Sequence, residues 1–241
     1  MLWNNLELPD KPRLLDLFCG AGGVAMGYYR VGFEVVGIDI KPQPHYPFEF
    51  HQADALTYPL EGFDAYHASP PCQFHSVMTE LQKARGSFNP DNLNLIPDTK
   101  RILSETDKPY VIENVDSKSV KRFLDNPIRL CGSMFGLGVI RHRLFECHPF
   151  IFPPGHYPEK HKEVSQRADY CCVVGMGGAW RKRNGSRKTE DWMTAMDIDW
   201  MDRYSLTQAI PPAYTEYIGK YLMQAVIVAK RCSQSGMRLG V

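Results

Sequence analysis

The stretch from Arg13 to Asp39 constrains the fold more than any other part of the chain. Arg13-Leu14-Leu15-Asp16-Leu17-Phe18 is an apolar run of strand length that ends in a glycine-rich turn, Cys19 to Gly23. A short helix follows through Ala25, Met26, Tyr28 and Tyr29, and Gly32 closes it. Glu34-Val35-Val36-Gly37-Ile38-Asp39 then reads as a second strand. Strand, helix and strand at this spacing form a parallel βαβ unit. The pattern continues with a strand at Phe63–Ala68, a helix from about Asn92 to Ser104 and a strand at Tyr110–Glu113. The expected fold is therefore α/β: a Rossmann-like, doubly wound, mostly parallel sheet.

Beyond Glu113 the periodicity weakens. Arg129–Cys131 and Arg143–Cys147 read as a possible antiparallel edge pair of strands. From His148 to about Trp200, Pro, Gly, Lys, Arg and Trp dominate with no clear period, which indicates a small irregular lobe. A final helix is expected from Ala213 to about Arg231, with Tyr217, Ile218, Tyr221, Leu222, Ala225 and Val226 on one apolar face. The chain thus divides into an α/β domain at 1–147, a small lobe at 148–200 and a C-terminal segment at 201–241 that packs back on the first domain. Its 241 residues suit one substantial domain with an appendage.

Composition sets limits on function. A net charge of +1 does not advertise a nucleic-acid partner, although a local basic patch can sit inside a neutral average. No apolar run reaches the ~18 residues of a membrane span, and the N-terminus lacks the pattern of a signal peptide. A cytoplasmic monomer without membrane contact is the expectation. Seven scattered cysteines without a C-x-x-C pair argue against a disulfide framework. Cys131, Cys147, His148, His156, Cys171 and Cys172 match no standard zinc spacing, so no metal is expected.

Two groups of residues carry chemistry. In the first, the turn residues Asp16, Phe18, Gly20, Gly22 and Gly23 lie between strand and helix, where backbone amides can approach a ligand. Asp39 ends the next strand about 20 residues on, where a carboxylate typically holds ribose hydroxyls, and Ile40 follows it. Asp54, with Ala55 and Leu56, adds a position suited to an adenine amino group. Each carboxylate alone is an ordinary loop residue; the ordered set suggests an adenosine-bearing cofactor. The G-x-G-x-x-G pattern is not met, which disfavours NAD.

In the second group, Ser69-Pro70-Pro71-Cys72-Gln73 follows a strand, which places Cys72 at the carboxyl end of the sheet. Alone, Cys72 would be read as a buried thiol. Glu113-Asn114-Val115 brings a carboxylate to the end of another strand, and Arg141-His142-Arg143 precedes an edge strand.

In this order the segments resemble the C5-cytosine DNA methyltransferase family. The turn from Asp16 to Gly23 is similar to its first motif, and Pro70-Pro71-Cys72-Gln73 to its nucleophile motif. Glu113-Asn114-Val115 and Arg141-His142-Arg143 are similar to its Glu-Asn-Val and Arg-x-Arg motifs. The resemblance implies a fold of the class I S-adenosylmethionine methyltransferase type, with S-adenosyl-L-methionine as cofactor. It implies Cys72 as nucleophile toward cytosine carbon 6, Glu113 at N3, Arg143 at O2, and Arg141 as support for the loop or a phosphate. Pro70 joins the cofactor-binding set. The implied partner is double-stranded DNA with its target base flipped out.

The resemblance also implies a closing loop from Phe74 to about Pro90, with Gln73, Ser76, Lys83 and Arg85 contacting nucleic acid. In the short lobe, which would recognise the target, Arg181, Lys182, Arg183 and Arg187 beside Trp180 and Trp192 suit phosphate and base contacts; a solvated charge run is the plainer alternative. The small lobe resembles compact phage-like members, acting in the cytoplasm of a bacterium or phage-infected cell. His75 replaces the family's Phe, and Thr207–Pro212 stands where a Gly-Asn-Ser/Ala-Val segment is usual. Three other readings stay open: a tRNA cytosine C5 methyltransferase, a catalytically silent nucleic-acid-binding relative, and a related one-carbon transfer or variant cofactor at the same adduct, for which His75 and the altered Thr207–Pro212 segment leave room.

Overall fold

The computed structural model describes residues 10–71, 94–155, 170–171, 173 and 188–235. Its centre is a seven-stranded sheet built from β1 (Arg13–Leu17), β2 (Glu34–Asp39), β3 (Glu49–Gln52), β4 (Ala65–Ala68), β5 (Tyr110–Val115), β6 (Ile128–Leu130) and β7 (Arg143–His148). The strand order is β3-β2-β1-β4-β5-β7-β6. β1 to β5 pair in parallel, while β7 runs antiparallel to both its neighbours, β5 and β6. The helices described are α1 (Gly23–Arg30), α2 (Ile96–Ser104), α3 (Lys118–Lys121), α4 (Thr189–Met196), α5 (Arg203–Gln208) and α6 (Pro212–Ser235). This is the Rossmann-like, mostly parallel sheet that the strand–helix alternation predicts.

Alternation along each strand divides the core into two layers. Leu14, Val111 and Phe145 face one layer with Tyr28, Phe33, Tyr214, Ile218 and Leu222. Their neighbours Leu15, Ile112 and Leu144 face the other, with Ile96, Leu103 and Val120. Strands flanked on both faces must be apolar on both, which is why they read as continuous hydrophobic runs. Each fully buried side chain of this kind stabilises the fold by roughly 1.5–3 kcal/mol.

The expected edge pair exists, but β7 is internal and β6 forms the edge. The strand expected from Phe63 begins at Ala65, and α2 begins at Ile96 with Pro97 in its first turn. β3 went unpredicted because its side chains are mostly exposed and polar, so they carry no buried alternation. α6 starts at Pro212 and extends to Ser235. Its buried face is Tyr214, Ile218, Leu222 and Val226, one position round from the face expected, so Tyr221 is exposed. Within 148–200, Thr189–Met196 is helical and joins a third apolar cluster with Val139, Cys171, Val173, Met201 and Leu206. No described helix is long and apolar enough to cross a membrane.

Strand order reverses between β1 and β4, so the carboxyl ends of those two strands flank the crevice where open α/β sheets bind ligands. α1 leaves that crevice and packs along α6 at close range. The Thr215 hydroxyl donates to the Val24 carbonyl at 2.8 Å, and Gly27 meets the helix start at Pro212 and Thr215 with no space for a methyl group. Gly27→Ala is expected to destabilise the fold by about 1–3 kcal/mol through overpacking, read by denaturant unfolding. A variant as stable as the wild type would mean that α6 does not seat on α1 in this way.

Candidate active site

The crevice is assembled from four strand ends that meet at one edge. The Ser69 amide, just past β4, donates to the Leu17 carbonyl at 3.1 Å, and the Cys19 amide donates to Ile38 at 3.0 Å. The Asn114 side-chain amide donates to the Pro70 carbonyl at 2.9 Å while its oxygen accepts from the Val115 amide. Asn114 is buried, so both halves of its amide are committed inside the protein. The end of β5 therefore clamps the backbone two residues before Cys72. Cys72 itself lies outside the described residues, as do Gln73, Ser76, Lys83, Arg85, Arg181, Lys182, Arg183 and Arg187.

Glu113 and Arg143 come together beside that clamp. Arg143 Nε stands 3.2 Å from Glu113 Oε1, with both side chains largely buried. The remaining guanidinium edge donates to the His142 carbonyl at 2.8 Å. Burial pushes the Glu113 carboxyl up; the charge of Arg143, a hydrogen bond from Ser69 and the charge of Arg141 pull it back without cancelling the rise. Glu113 Oε1 has no hydrogen-bond partner among the described residues. A carboxyl whose pKa is raised, paired with Arg143 through an oxygen that makes no hydrogen bond among the described residues, suits donation of a hydrogen bond to a ring nitrogen.

Arg141 is placed differently. Its guanidinium donates to the carbonyls of Val173 at 3.0 Å and Thr207 at 2.7 Å, and its own carbonyl accepts from the Tyr214 hydroxyl at 2.6 Å. It is buried and joins the segment before α6 to the start of β7. That geometry suits support of the surrounding loops and leaves it away from solvent, where a phosphate would be met.

On the cofactor side the glycine turn has the shape that close approach requires. Phe18, Gly20 and Gly22 all adopt positive φ, of 57°, 50° and 84°. A Cβ at Gly20 would meet nothing within 4 Å, so open space lies above the turn, whereas at Gly22 it would collide with Pro47 and Tyr46. Gly23 is closed off by the Ile210 carbonyl. Asp39 accepts from the Gly20 amide at 3.1 Å and the Lys41 amide at 2.9 Å, which ties the turn to the end of β2. Its carboxylate keeps lone pairs for further donors. Ile40 beside it is 67% exposed, an apolar surface against which a flat ring can lie. Asp54 is exposed and accepts from the Leu56 amide at 2.9 Å, shaping a turn over buried Ala55. An adenosine-bearing ligand fits this set: open backbone, a ribose-height carboxylate and an apolar platform.

Asp16 is fully buried beneath the turn, and neither of its carboxyl oxygens has a hydrogen-bond partner among the described residues. Its carboxyl is held well above the ordinary range, first by burial and then by the charge of Asp39, with the Tyr46 hydroxyl pulling the other way. A cation bound above the turn would offset that burial through the low-dielectric interior. The sequence reading missed Tyr46, which caps this region, and Trp200, whose indole donates to the Ala21 carbonyl at 2.9 Å. Both come from segments without periodicity, so only tertiary contact reveals them.

The raised Asp16 value has a definite pH consequence. Folding is helped by the neutral acid below the ordinary value of 3.8, and that help is lost as pH rises toward the raised folded value. Asp16→Asn is therefore expected to melt several degrees higher than wild type at pH 8, with the gap closing toward pH 4. A pH-independent gap in thermal melts would contradict the buried, uncompensated carboxyl.

Comparison with known proteins agrees with the geometry. Residues 13–122 match the family described as C-5 cytosine-specific DNA methylase. The chain is similar in structure to a prophage-encoded E. coli protein described as a DNA modification methyltransferase. That likeness has TM-score 0.59 and 14% identity, covering 90% of this chain and 99% of that one. It is also similar to the Entamoeba histolytica methyltransferase EhMeth, with TM-score 0.58, 12% identity, and coverage of 90% and 99%. The S. pombe Dnmt2 methyltransferase gives TM-score 0.51 and 13% identity, with coverage of 89% and 99%. At such identities these likenesses speak for the fold. A Bacillus subtilis (strain 168) protein described as a methyltransferase, YqeM, is 44% identical over 41 residues, and the match spans 17% of each chain. Residues 13–122, the part of the chain that resembles the C-5 cytosine-specific DNA methylase family, contain the glycine turn, the Pro-Pro-Cys-Gln segment and Glu113-Asn114-Val115.

Proposed function

We propose that the protein is an S-adenosylmethionine-dependent DNA methyltransferase that modifies carbon 5 of cytosine in duplex DNA. The observation that carries this reading is the cluster at the crevice: Glu113 with a raised carboxyl, Arg143 paired with it at 3.2 Å, and Asn114 holding Pro70 two residues from Cys72. The family match over residues 13–122 supports cytosine and DNA as the substrate.

Carbon 5 of cytosine is a poor nucleophile. Addition of the Cys72 thiolate to carbon 6 forms a C–S bond and moves the ring π electrons toward carbon 5, N3 and O2. Glu113 donates its proton at N3 and Arg143 binds O2, so charge developing on the ring is neutralised where it appears. The cofactor supplies an electrophilic methyl group on a sulfonium to the activated carbon 5. Loss of the carbon 5 proton to a base and cleavage of the C–S bond then release Cys72 as a thiolate.

The same target atom is inaccessible inside a duplex, so the base must leave the stack. Gln73, Ser76, Lys83 and Arg85 after the nucleophile, and Arg181, Lys182, Arg183 and Arg187 in the small lobe, are the residues proposed to hold the displaced strand and its phosphates. Asp39, Ile40 and the open backbone at Gly20 are the proposed cradle for the adenosine moiety, with Asp54, Ala55, Leu56 and Pro70 completing it.

Incubation with methyl-labelled S-adenosylmethionine and either duplex DNA or tRNA tests this directly. Label is expected in DNA, absent with Cys72→Ala and reduced about 10²–10⁴-fold with Glu113→Gln. Label confined to tRNA would remove the DNA assignment, and transfer to neither would overturn the activity. Asn114→Ala, which releases the Pro70 carbonyl, is expected to slow transfer about tenfold, the scale of one buried hydrogen bond. An unchanged rate would mean the clamp has no bearing on Cys72.

A further inference from the structure

A buried line of hydrogen bonds runs from the core to Ser69, beside Glu113, and its inner members have no part in the chemistry above. Tyr28 on α1 and His67 on β4 are both fully buried. The Tyr28 hydroxyl lies 2.9 Å from His67 Nδ1, and on the far side of the ring Nε2 lies 3.1 Å from Ser69 Oγ. The β4–β5 register, His67 beside Val111 and Ala68 beside Ile112, sets Ser69 next to Glu113, and the Ser69 side chain is among the groups that hold the Glu113 carboxyl down against the effect of burial.

Proton counting gives the line a direction. Burial lowers the His67 pKa to about 3, so the ring is neutral at working pH, with one N–H and one lone pair. Ser69 has a single hydroxyl proton. When that proton is given to Glu113, Oγ can only accept from His67, so Nε2 carries the ring hydrogen. Nδ1 is then the acceptor, and the Tyr28 hydroxyl donates to it. The opposite polarity would strip Glu113 of the Ser69 donor.

The arrangement is built into the packing. Asp16 on β1 and Val111 on β5 are the register neighbours of His67. The titratable groups around the line are Asp16, Glu113 and Cys147, and burial pushes the Asp16 carboxyl and Cys147 thiol toward their neutral forms. Gly219 on α6 leaves room for Tyr28: a Cβ there would stand 3.0 Å from the tyrosine ring and 2.7 Å from Val31. An apolar residue at 67 would fill the same space without burying two polar groups, so the cost of burial calls for a role.

We propose that His67 is a positioning residue for Glu113: fixed by Tyr28, the ring commits the Ser69 proton to the carboxyl and thereby sets how Glu113 presents its own proton to the base. The inference rests on the reading of Glu113 as the group that meets N3. His67 touches neither substrate nor cofactor; it acts through Ser69. Loss of the ring frees the Ser69 hydroxyl to turn away, and the carboxyl then holds its proton to higher pH.

The test is a carboxyl titration of Glu113 by carbon-13 NMR, assigned with Glu113→Gln, in wild type, Ser69→Ala, His67→Leu and His67→Gln. Ser69→Ala and His67→Leu are each expected to raise the midpoint by about half to one pH unit, the size of one such hydrogen bond. The double variant should shift no further than either single one, because both remove the same contact. His67→Gln, whose amide can still donate to Ser69, should return toward wild type. In methyl transfer, activity that needs the protonated carboxyl falls as pH rises through its pKa, so the falling limb should move to higher pH in the same variants. Affinity for S-adenosylhomocysteine should not change. Should His67→Leu fail to fold, Tyr28→Phe removes the donor to Nδ1 and is expected to shift the midpoint in the same direction. A Glu113 midpoint unmoved by His67→Leu, or by Tyr28→Phe in its place, overturns the proposal, as does additivity with Ser69→Ala. The predicted titration in a wild type that methylates neither DNA nor tRNA would keep the positioning role and refute the proposed function.

Discussion

The site depends on the direction of one strand. β7 enters the sheet antiparallel to β5, so Arg143, its first residue, lies opposite Val115, the last residue of β5. Glu113 is two residues back on β5 and shares the face of Val115. That register brings Nε of Arg143 within 3.2 Å of the Glu113 carboxyl. A parallel β7 would carry its final residue, His148, to this edge and leave Glu113 without a cation. A buried carboxylate without a partner is costly enough to take up a proton permanently, whereas one beside a guanidinium can hold or release it.

The remaining parts follow from the parallel strands beside it. β1, β4 and β5 end at the same edge because their register is in step, Leu17 beside Ala68 and Ala68 beside Ile112. The glycine turn, the Ser69-Pro70-Pro71 segment and Glu113-Asn114 thus emerge together although far apart in sequence. Asn114 then stitches two of these loops through the Pro70 carbonyl. The C-terminal segment closes the third side: Thr207 accepts from Arg141, Ile210 packs on Gly23 and Trp200 donates to Ala21. Positions 207–212, where the usual family segment is not apparent, nevertheless wrap the turn and the arginine.

Much of this was legible in the sequence, for physical reasons. Leu14, Leu15, Val35, Val36, Val111 and Ile112 announce buried parallel strands because both faces are covered, and positive φ at the turn calls for Gly20 and Gly22. The nearness of Glu113 to Arg143 was implied only by the family resemblance, which set both against one cytosine ring; the antiparallel register of β7 that achieves it has no local signal. What remained hidden has no local signature. β3 shows mostly polar side chains, and the true face of α6 is set by how Gly27 and Gly219 let it approach α1. His67 looked like an ordinary strand residue, since only the tertiary fold brings Tyr28 and Ser69 to its two nitrogens. Arg141 was read as a loop or phosphate contact, and its burial among carbonyls came from residues 32 and 66 positions away.

In the proposed reaction Cys72 forms a covalent bond to carbon 6 of a cytosine in DNA, with Glu113 and Arg143 taking up the ring charge. A duplex carrying 5-fluorocytosine tests it most directly, because fluorine at carbon 5 cannot leave as a proton and the adduct cannot resolve. Intact-mass and peptide measurements after incubation with S-adenosylmethionine should show the protein joined to the methylated oligonucleotide through Cys72. The adduct should be absent with Cys72→Ala and strongly reduced with Glu113→Gln. Methylation of ordinary duplex DNA without any trapped adduct, or an adduct at another residue, would contradict that reaction.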